Sequence, residues 1–427
     1  MDTSIIYDIA GIGIGPFNLG LAALSSETKL LTSIFFDKNE TFHWHSGMML
    51  EGTRLQVPFH ADLVTQVDPE SRFSYLAYLK ANKRLYRFTI LEQYFPLRKE
   101  YNGYLRWVAE LLDNLCFGYY CNSIVYNYGI QCYEVEVSRS INSERKTYYA
   151  KHIVLGVGTV PNIPATCNLE SDAVFHSSQY LHKKEILESR QDITIVGSGQ
   201  SAAEIFYDLL ESCQNKNQRL SWYTSSGRFF PMDYSKFSLE MTSPDYIDHF
   251  YRLEEDRKKE ILERQSVLYK GINTSLIDAI YNRLYTLSLE EETKGSITIK
   301  PNCNLVNTNE EQGRILCRFE HKETDKVFLH ETDALILATG YCYKTPECLL
   351  PISSIIGWDK HNCYRVNRNY SIDKHNTIFV QNAEMHTHGF NTPDLGMGPY
   401  RNAVILNAIL GREYFQMEEN VPFQTFD

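Results

Sequence analysis

Near its start the chain reads Asp8-Ile9-Ala10-Gly11-Ile12-Gly13-Ile14-Gly15-Pro16-Phe17-Asn18-Leu19, three alternating glycines followed by a proline. The apolar run Ile5 to Ala10 reads as a buried strand, and Phe17, Leu21, Ala22 and Leu24 recur at helical spacing after it. Strand, glycine turn and helix in that order open a dinucleotide-binding fold. Gly11 is expected to permit the tight turn, and Gly13 to let the backbone approach a pyrophosphate. Gly15 and Pro16 stand at the helix start, where free N–H groups and the positive dipole end suit that anion. Proline replaces the usual third small residue and is tolerated in a first helical turn, where its missing N–H has no partner to lose.

A second apolar run, Leu30 to Phe36, ends at Asp37. That acid lies about 26 positions after Gly11, near the offset of roughly 20 expected for a ribose-binding carboxylate. It suits a ribose hydroxyl and disfavours a 2′-phosphate, so this site is expected to hold FAD or NAD. The design recurs at Ile193-Thr194-Ile195-Val196-Gly197-Ser198-Gly199-Gln200-Ser201-Ala202, where Ala202 fills the third small position. Here the next strand, Leu220 to Tyr223, runs into Thr224-Ser225-Ser226-Gly227-Arg228 with no acid at its tip. Hydroxyls and an arginine suit a 2′-phosphate, hence NADPH held by Ser225 or Arg228.

The chain has 427 residues, enough for two or three domains. A net charge of −11 argues against nucleic acid or an anionic membrane surface as partner. No apolar run approaches the roughly 20 residues of a membrane span. Met1-Asp2-Thr3-Ser4 lacks the positive start of a signal peptide, so a cytoplasmic protein is expected. The ten cysteines contain no CxxC pair and read as reduced thiols. No HExxH occurs, and no metal site is expected. Further elements are expected as helices at Ser74 to Lys80, Tyr104 to Leu115 and Asn402 to Leu410. A packed turn is expected at Tyr94 to Arg98, a strand meander at Tyr119 to Val137, and a buried strand over Asp333 to Tyr341 that ends in a Thr-Gly turn. Two nucleotide sites in one chain imply hydride transfer from NADPH to a flavin, which must pass its electrons onward. Without a redox CxxC, dioxygen is the natural acceptor.

Several ordered motifs carry a resemblance. They are Gly11, Gly13 and Pro16; Phe42-His43-Trp44-His45 with Gly47-Met48; Leu55-Gln56; Asp62-Leu63-Val64; Gly197 to Ala202; and Asp333 with Ala338-Thr339-Gly340-Tyr341. Over nearly its whole length the sequence resembles the lysine/ornithine N-monooxygenases, the N-hydroxylating flavin enzymes of siderophore biosynthesis. The resemblance implies an α/β fold with two Rossmann-like dinucleotide-binding domains, for FAD and NADPH, and a small helical substrate region. The flavin domain is expected over residues 1–165 and 330–427, the NADPH domain over 166–240 and 290–329, and the helical region over 241–289. The implied reaction adds dioxygen to reduced flavin, giving a C4a-hydroperoxyflavin that hydroxylates a primary amine. The partners are then a small amine and O2, with no nucleic acid and no membrane, and family analogy suggests a homo-oligomer.

By the same resemblance the cofactor-binding set is Gly11, Gly13, Gly15, Pro16, Asp37, Trp44, His45, Gln56, Gly197, Gly199, Gln200, Ser201, Ser225, Arg228, Asn273, Thr339, Gly340, Tyr341, Asp394, Leu395 and Gly396. Gln56 is expected beside the flavin ring. Asn273, in Gly271-Ile272-Asn273-Thr274-Ser275, is expected to bridge NADP⁺ and substrate. The substrate set is His60, Ala61, Leu239 and Asn273. Enzymes acting on ornithine or lysine hold the α-carboxylate with the lysine of a Leu-Lys-Asp-Leu segment, and ornithine enzymes add an asparagine in Phe-x-Asn-Glu. Here those places hold Ala61, in His60-Ala61-Asp62-Leu63, and Leu239, in Phe237-Ser238-Leu239-Glu240. A carboxylate facing them would be desolvated without a partner, at a cost of a few kcal/mol. The expected substrate therefore lacks an α-carboxylate: putrescine, cadaverine or a histamine-like amine, with L-lysine or L-ornithine as the alternative. A protonated His60 is the one group there that would restore a cation.

Overall fold

The computed structural model describes residues 5–167, 171–216, 218–289 and 296–426. Met1-Asp2-Thr3-Ser4 and the Cys213 thiol lie outside that description.

The first sheet is built on β1 (Ile6–Ile12), with β2 (Ser33–Asp37) and β3 (Leu115–Phe117) parallel to it on one side. On the other side lies β6 (Arg145–Leu155), which serves two partnerships along its length. Its first half pairs antiparallel with β5 (Cys132–Arg139), itself paired with β4 (Tyr119–Asn127) in the expected meander. Its last residues, Ile153 to Leu155, pair parallel with β17 (Ile378–Val380), brought in from the far end of the chain. Helices α1 (Pro16–Thr28) and α12 (Gly398–Leu410) pack together against this sheet. Their buried leucines and alanines share one core with α2 (Tyr75–Ala81) and α4 (Arg98–Leu111). Ser74 caps α2 as its side chain accepts the Ala77 N–H.

The second sheet is wholly parallel, in the order β11 (Ile297–Lys300), β10 (Arg219–Tyr223), β9 (Asp192–Val196), β15 (Ala334–Leu337), β8 (Val174–His176). Strands β9 and β15 are buried along their whole length, as a parallel sheet covered on both faces requires. Helices α5 (Tyr180–Leu187), α6 (Gln200–Lys216) and α10 (Thr274–Leu287) cover one face. An antiparallel meander of β12 (Cys303–Glu311), β13 (Arg314–His321) and β14 (Lys326–Thr332) covers the other. The two crossings between the domains pair with each other as β7 (Val160–Pro161) and β16 (Tyr341–Cys342).

The structure moves several expected boundaries. β15 was expected in the flavin domain from residue 330, but its partners β8 and β9 put it in the second sheet, so that domain runs through Leu337. A buried apolar strand fits either parallel sheet by pattern alone. The expected helical region 241–289 divides. Just ahead of it lies α7 (Lys236–Leu239), and within it α8 (Pro244–Arg252) and α9 (Glu255–Arg264) precede α10; Tyr246 and Phe250 of α8 pack on Phe390, whereas Ile280 and Leu287 of α10 enter the second domain's core. Arg98, expected in a turn, opens α4, six residues before the expected helix start. The short α3 (Leu85–Leu91) fully buries none of its residues and meets the core only through the partly buried Leu85 and Phe88. The short helix α11 (Met385–His388) leads into the glycine-rich turn before α12.

Candidate functional site

Both glycine turns open on one cleft of ≈ 1750 Å³ between the two domains. In the first turn the glycine roles differ from expectation. Gly11 is still within β1, and a methyl there would fall 2.0 Å from the Phe35 ring, so it serves close strand packing. Gly13 makes the turn: its φ is +86°, and a Cβ would meet the Gly156 carbonyl oxygen at 2.5 Å. Gly15 caps α1 with extended backbone, and a Cβ there would have no neighbour within 4 Å. Gly15 is therefore where the chain lies open to a pyrophosphate. Asp37 Oδ2 accepts the Ile14 N–H at 2.8 Å at the same mouth. The Asn18 amide donates to the Gly13 carbonyl at 2.8 Å and accepts from Gln381 Nε2 at 2.7 Å, tying the turn to the end of β17. Two polar atoms of cleft residues, Gln381 Oε1 and Thr392 Oγ1, are buried without a hydrogen-bond partner in the protein. Orphaned acceptors beside an anion cradle fit the polar edge of a bound flavin nucleotide.

The second turn repeats the design. A Cβ on Gly197 would meet the Ala338 carbonyl at 2.2 Å, while one on Gly199 would have only the Lys270 carbonyl near, at 3.7 Å. Gln200 and Ser201 start α6 and line the cleft with Ser225. Arg228 is exposed and lies off the cleft lining. These residues fit a nicotinamide dinucleotide.

Between the turns lies the seam. The aromatic stretch after Asp37 crosses it: Met48 and Leu50 insert into the second domain's core, and a methyl on Gly47 would strike the Ser178 carbonyl at 1.9 Å. Arg98 clasps Glu204 across the seam, Nη2 to Oε1 at 2.7 Å and Nη1 to Oε2 at 2.8 Å. Gln200 Nε2 donates to Glu204 Oε1 at 2.9 Å, and Gln200 Oε1 accepts the Asn273 N–H at 2.9 Å. Gln56 Nε2 donates to the Gly271 carbonyl at 3.1 Å, and the Tyr234 hydroxyl donates to the Gln56 carbonyl. Trp44 and His45 line the cleft with Tyr341 beside them. Desolvation by the walls, then the nearby Arg98 charge, push the His45 imidazole down to about 4, so it is neutral at pH 7. Thr339, Gly340, Asp394 and Leu395 complete the lining.

Four other expected residues stand back from the cleft surface: Asn273, Ala61, His60 and Gly396. Asn273 caps α10 through its backbone, with its side chain half-buried next to the lining segment Lys270–Gly271. Ala61 is buried, and its carbonyl accepts the Tyr101 hydroxyl at 2.9 Å. His60 packs edge-on to Phe59 and Tyr94, and burial lowers its pKa, which disfavours the cationic form. Asp62, next in sequence, organises this loop by accepting from Val64 N, Thr65 N, Thr65 Oγ1 and Tyr75 N. Leu239 does line the cleft; the following Glu240 holds α7 in place by accepting the Phe423 and Gln424 N–H groups at 3.1 Å each. Sequence reasoning missed Arg98, Glu204, Tyr234, Gln381 and Thr392. Only Glu204 had a signal, its place one turn into the helix after the second glycine motif.

Two nucleotide domains, one on a mixed sheet and one on a parallel sheet, facing one cleft in a sequence without a CxxC pair, define a two-dinucleotide oxidoreductase architecture. The family model for L-lysine 6-monooxygenase/L-ornithine 5-monooxygenase matches residues 5–343, and the chain belongs to that family. It is 46% identical to a putrescine N-hydroxylase from Acinetobacter baumannii, across all of this chain and 95% of that one. A putrescine N-hydroxylase from Shewanella oneidensis is 44% identical, over 99% of this chain and 84% of the other. Among solved structures, the FAD-bound cadaverine monooxygenase of desferrioxamine biosynthesis from Erwinia amylovora superimposes with a TM-score of 0.97, at 44% identity and 99% coverage of both chains. An ornithine N-hydroxylase from Kutzneria, solved with reduced FAD, NADP⁺ and L-ornithine, gives 0.88 at 26% identity over 95% of this chain and 99% of that one.

Proposed function

We propose that the protein N-hydroxylates an aliphatic diamine of the putrescine or cadaverine type, using FAD, NADPH and O2, to supply a hydroxylamine for siderophore assembly. The observation that carries this reading is the absence of a free cation at the amine end of the cleft. The cationic side chains on the lining, among the described residues, are Arg98 and Lys270. Arg98 is committed to Glu204, and the Lys270 ammonium lies over the Tyr269 ring, 5.2 Å from its centroid. Ala61 and Leu239 stand where amino-acid-hydroxylating relatives place a lysine and an asparagine.

The flavin and nicotinamide, when bound, supply the reduction and activation of dioxygen. The protein's own residues do the rest. The α1 and α6 N-termini at Gly15 and Gln200 hold the two pyrophosphates. The neutral His45 and the Trp44 ring wall the centre without bringing a proton to it. The Gln56–Gly271 bond keeps the two domains' reacting faces in register, and the Gln200–Asn273 bond fixes the start of α6 against the start of α10 within the nicotinamide domain. The substrate nitrogen must offer its lone pair, so the pocket has to favour a neutral amine whose free pKa is near 10.4 by analogy with lysine. The test is purified protein with bound FAD, supplied with NADPH and putrescine, and assayed for N-hydroxyputrescine. NADPH consumption without hydroxylamine from any diamine would reject the reading.

A further inference from the structure

Three carboxylates line the cleft among the described residues: Asp37, Asp233 and Asp394. Asp37 is spent on the first nucleotide turn, accepting from Ile14 N and Asn39 N. Asp233 accepts from Ser235 N and Ser238 Oγ, at 2.9 and 2.6 Å. Asp394 is held by its own turn, its Oδ1 accepting the Gly396 N–H at 2.7 Å, and like the other two it has no ion-pair partner among the described residues; its position is what sets it apart. The nearest guanidinium in sequence, Arg401, is committed to the buried Glu384 at 2.7 Å. The carboxylate also sits at a telling place. A methyl built on Gly396 would lie 3.0 Å from Asp394 Oδ1 and 3.5 Å from Ala61 Cβ. Asp394 thus adjoins the position where amino-acid-hydroxylating relatives carry a lysine.

We infer that Asp394 binds the distal ammonium of the diamine and makes this chain select diamines over both monoamines and amino acids. The inference rests on the proposed N-hydroxylation and assigns a second, non-reacting end to its pocket. Relative to the amino-acid enzymes the corner is inverted in sign: a cation that would hold a carboxylate is absent, and a carboxylate that holds a cation is present. The Gly396 N–H keeps the acceptor aimed, and burial, which pushes the Asp394 carboxyl up, makes an incoming ammonium more valuable there than in water. The arrangement also has a chemical consequence. A diamine carrying one proton can hold it on either nitrogen. Anchoring the ammonium at Asp394 fixes the proton on the distal nitrogen and leaves the reacting nitrogen with its lone pair. At neutral pH both nitrogens of the free diamine are protonated, so the reacting nitrogen gives its proton to solvent on entering the pocket, while the distal nitrogen keeps its own at Asp394. An α-carboxylate in the same corner meets like charge.

The test compares putrescine and cadaverine with butylamine and pentylamine in wild type, Asp394→Asn and Asp233→Asn, scoring hydroxylated product and flavin content. Asparagine keeps the turn's acceptor oxygen. Loss of a charge-assisted contact predicts that Asp394→Asn lowers the ratio of kcat/KM for a diamine over the matching monoamine by about 100-fold, compared at equal flavin content. Retained diamine preference in Asp394→Asn, or its loss in Asp233→Asn instead, overturns the inference while leaving the proposed function standing. Wild type that hydroxylates no diamine overturns the proposed function itself. Should Asp394→Asn lose its flavin, wild-type binding decides: affinity should fall in the order 1,4-diaminobutane, butylamine, 4-aminobutyrate. Binding of 4-aminobutyrate as tight as that of butylamine refutes a carboxylate at the distal end.

Discussion

Arg98 and Glu204 are 106 positions apart in sequence and form a two-pronged ion pair across the domain seam, at 2.7 and 2.8 Å. Their side chains are 12% and 2% exposed, so the pair is largely withdrawn from water. Removing one partner strands the other charge, which costs about 3 kcal/mol. Glu204→Ala is expected to lower the thermal midpoint and to slow flavin reduction by NADPH, because the Gln200 and Asn273 contacts hang from the same carboxylate. Calorimetry and stopped-flow absorbance check this. An unchanged midpoint with an unchanged reduction rate would remove the pair's role in joining the domains.

The two glycines of the first turn are expected to fail differently. Gly13→Val should not fold, since its φ of +86° and the Gly156 carbonyl at 2.5 Å leave no room for a side chain. Gly15→Val should fold, because its backbone is extended and the space around it is open, yet lack FAD, because the side chain occupies the pyrophosphate's approach. Circular dichroism and flavin absorbance separate the two. A yellow Gly15→Val protein contradicts the assignment.

That contrast shows where the sequence was legible. A glycine motif between an apolar run and a helical one announced both nucleotide domains. The motif did not say which glycine meets a neighbouring strand and which meets a ligand, because that depends on Phe35 and Gly156, contributed by β2 and the end of β6. Ala61 and Leu239 were legible as missing polar groups. Arg98 was not, because Tyr94-Phe95-Pro96 ahead of it masks the helix start, and its partner is remote. The sheet membership of β15 was equally hidden, since four buried apolar residues fit either sheet.

His388 gives a pH dependence with a definite sign. It is buried against Tyr370, ring centroids 4.4 Å apart, and burial, then the charge of Arg368, hold its pKa well below 6.5. The unfolded chain therefore takes up a proton first as pH falls, and the stability from the neutral ring is lost progressively below pH 6.5. The slope from this one residue is at most about 1.4 kcal/mol per pH unit. Urea unfolding at pH 7.5 and pH 5.5 should show a smaller loss on acidification in His388→Gln than in wild type. Equal losses would contradict a neutral buried His388.

Nicotinamide preference is expected to depend on the loop after β10. Ser225 lines the cleft and Arg228 is exposed three residues on, with no acid at the strand tip. Arg228→Ala should raise KM for NADPH by about tenfold, the value of one charge-assisted phosphate contact, and leave NADH kinetics nearly unchanged. Equal effects on both nucleotides would place the 2′-phosphate elsewhere.

The amine end of the cleft is expected to exclude an α-carboxylate, which is read from coupled product formation, hydroxylamine per NADPH consumed, with putrescine, cadaverine, L-ornithine and L-lysine at matched concentrations. An uncompensated buried carboxylate costs about 3 kcal/mol, so kcat/KM for the better diamine should exceed that for either amino acid by at least about 100-fold. Efficient, coupled hydroxylation of L-lysine or L-ornithine, with neither diamine accepted, would contradict it.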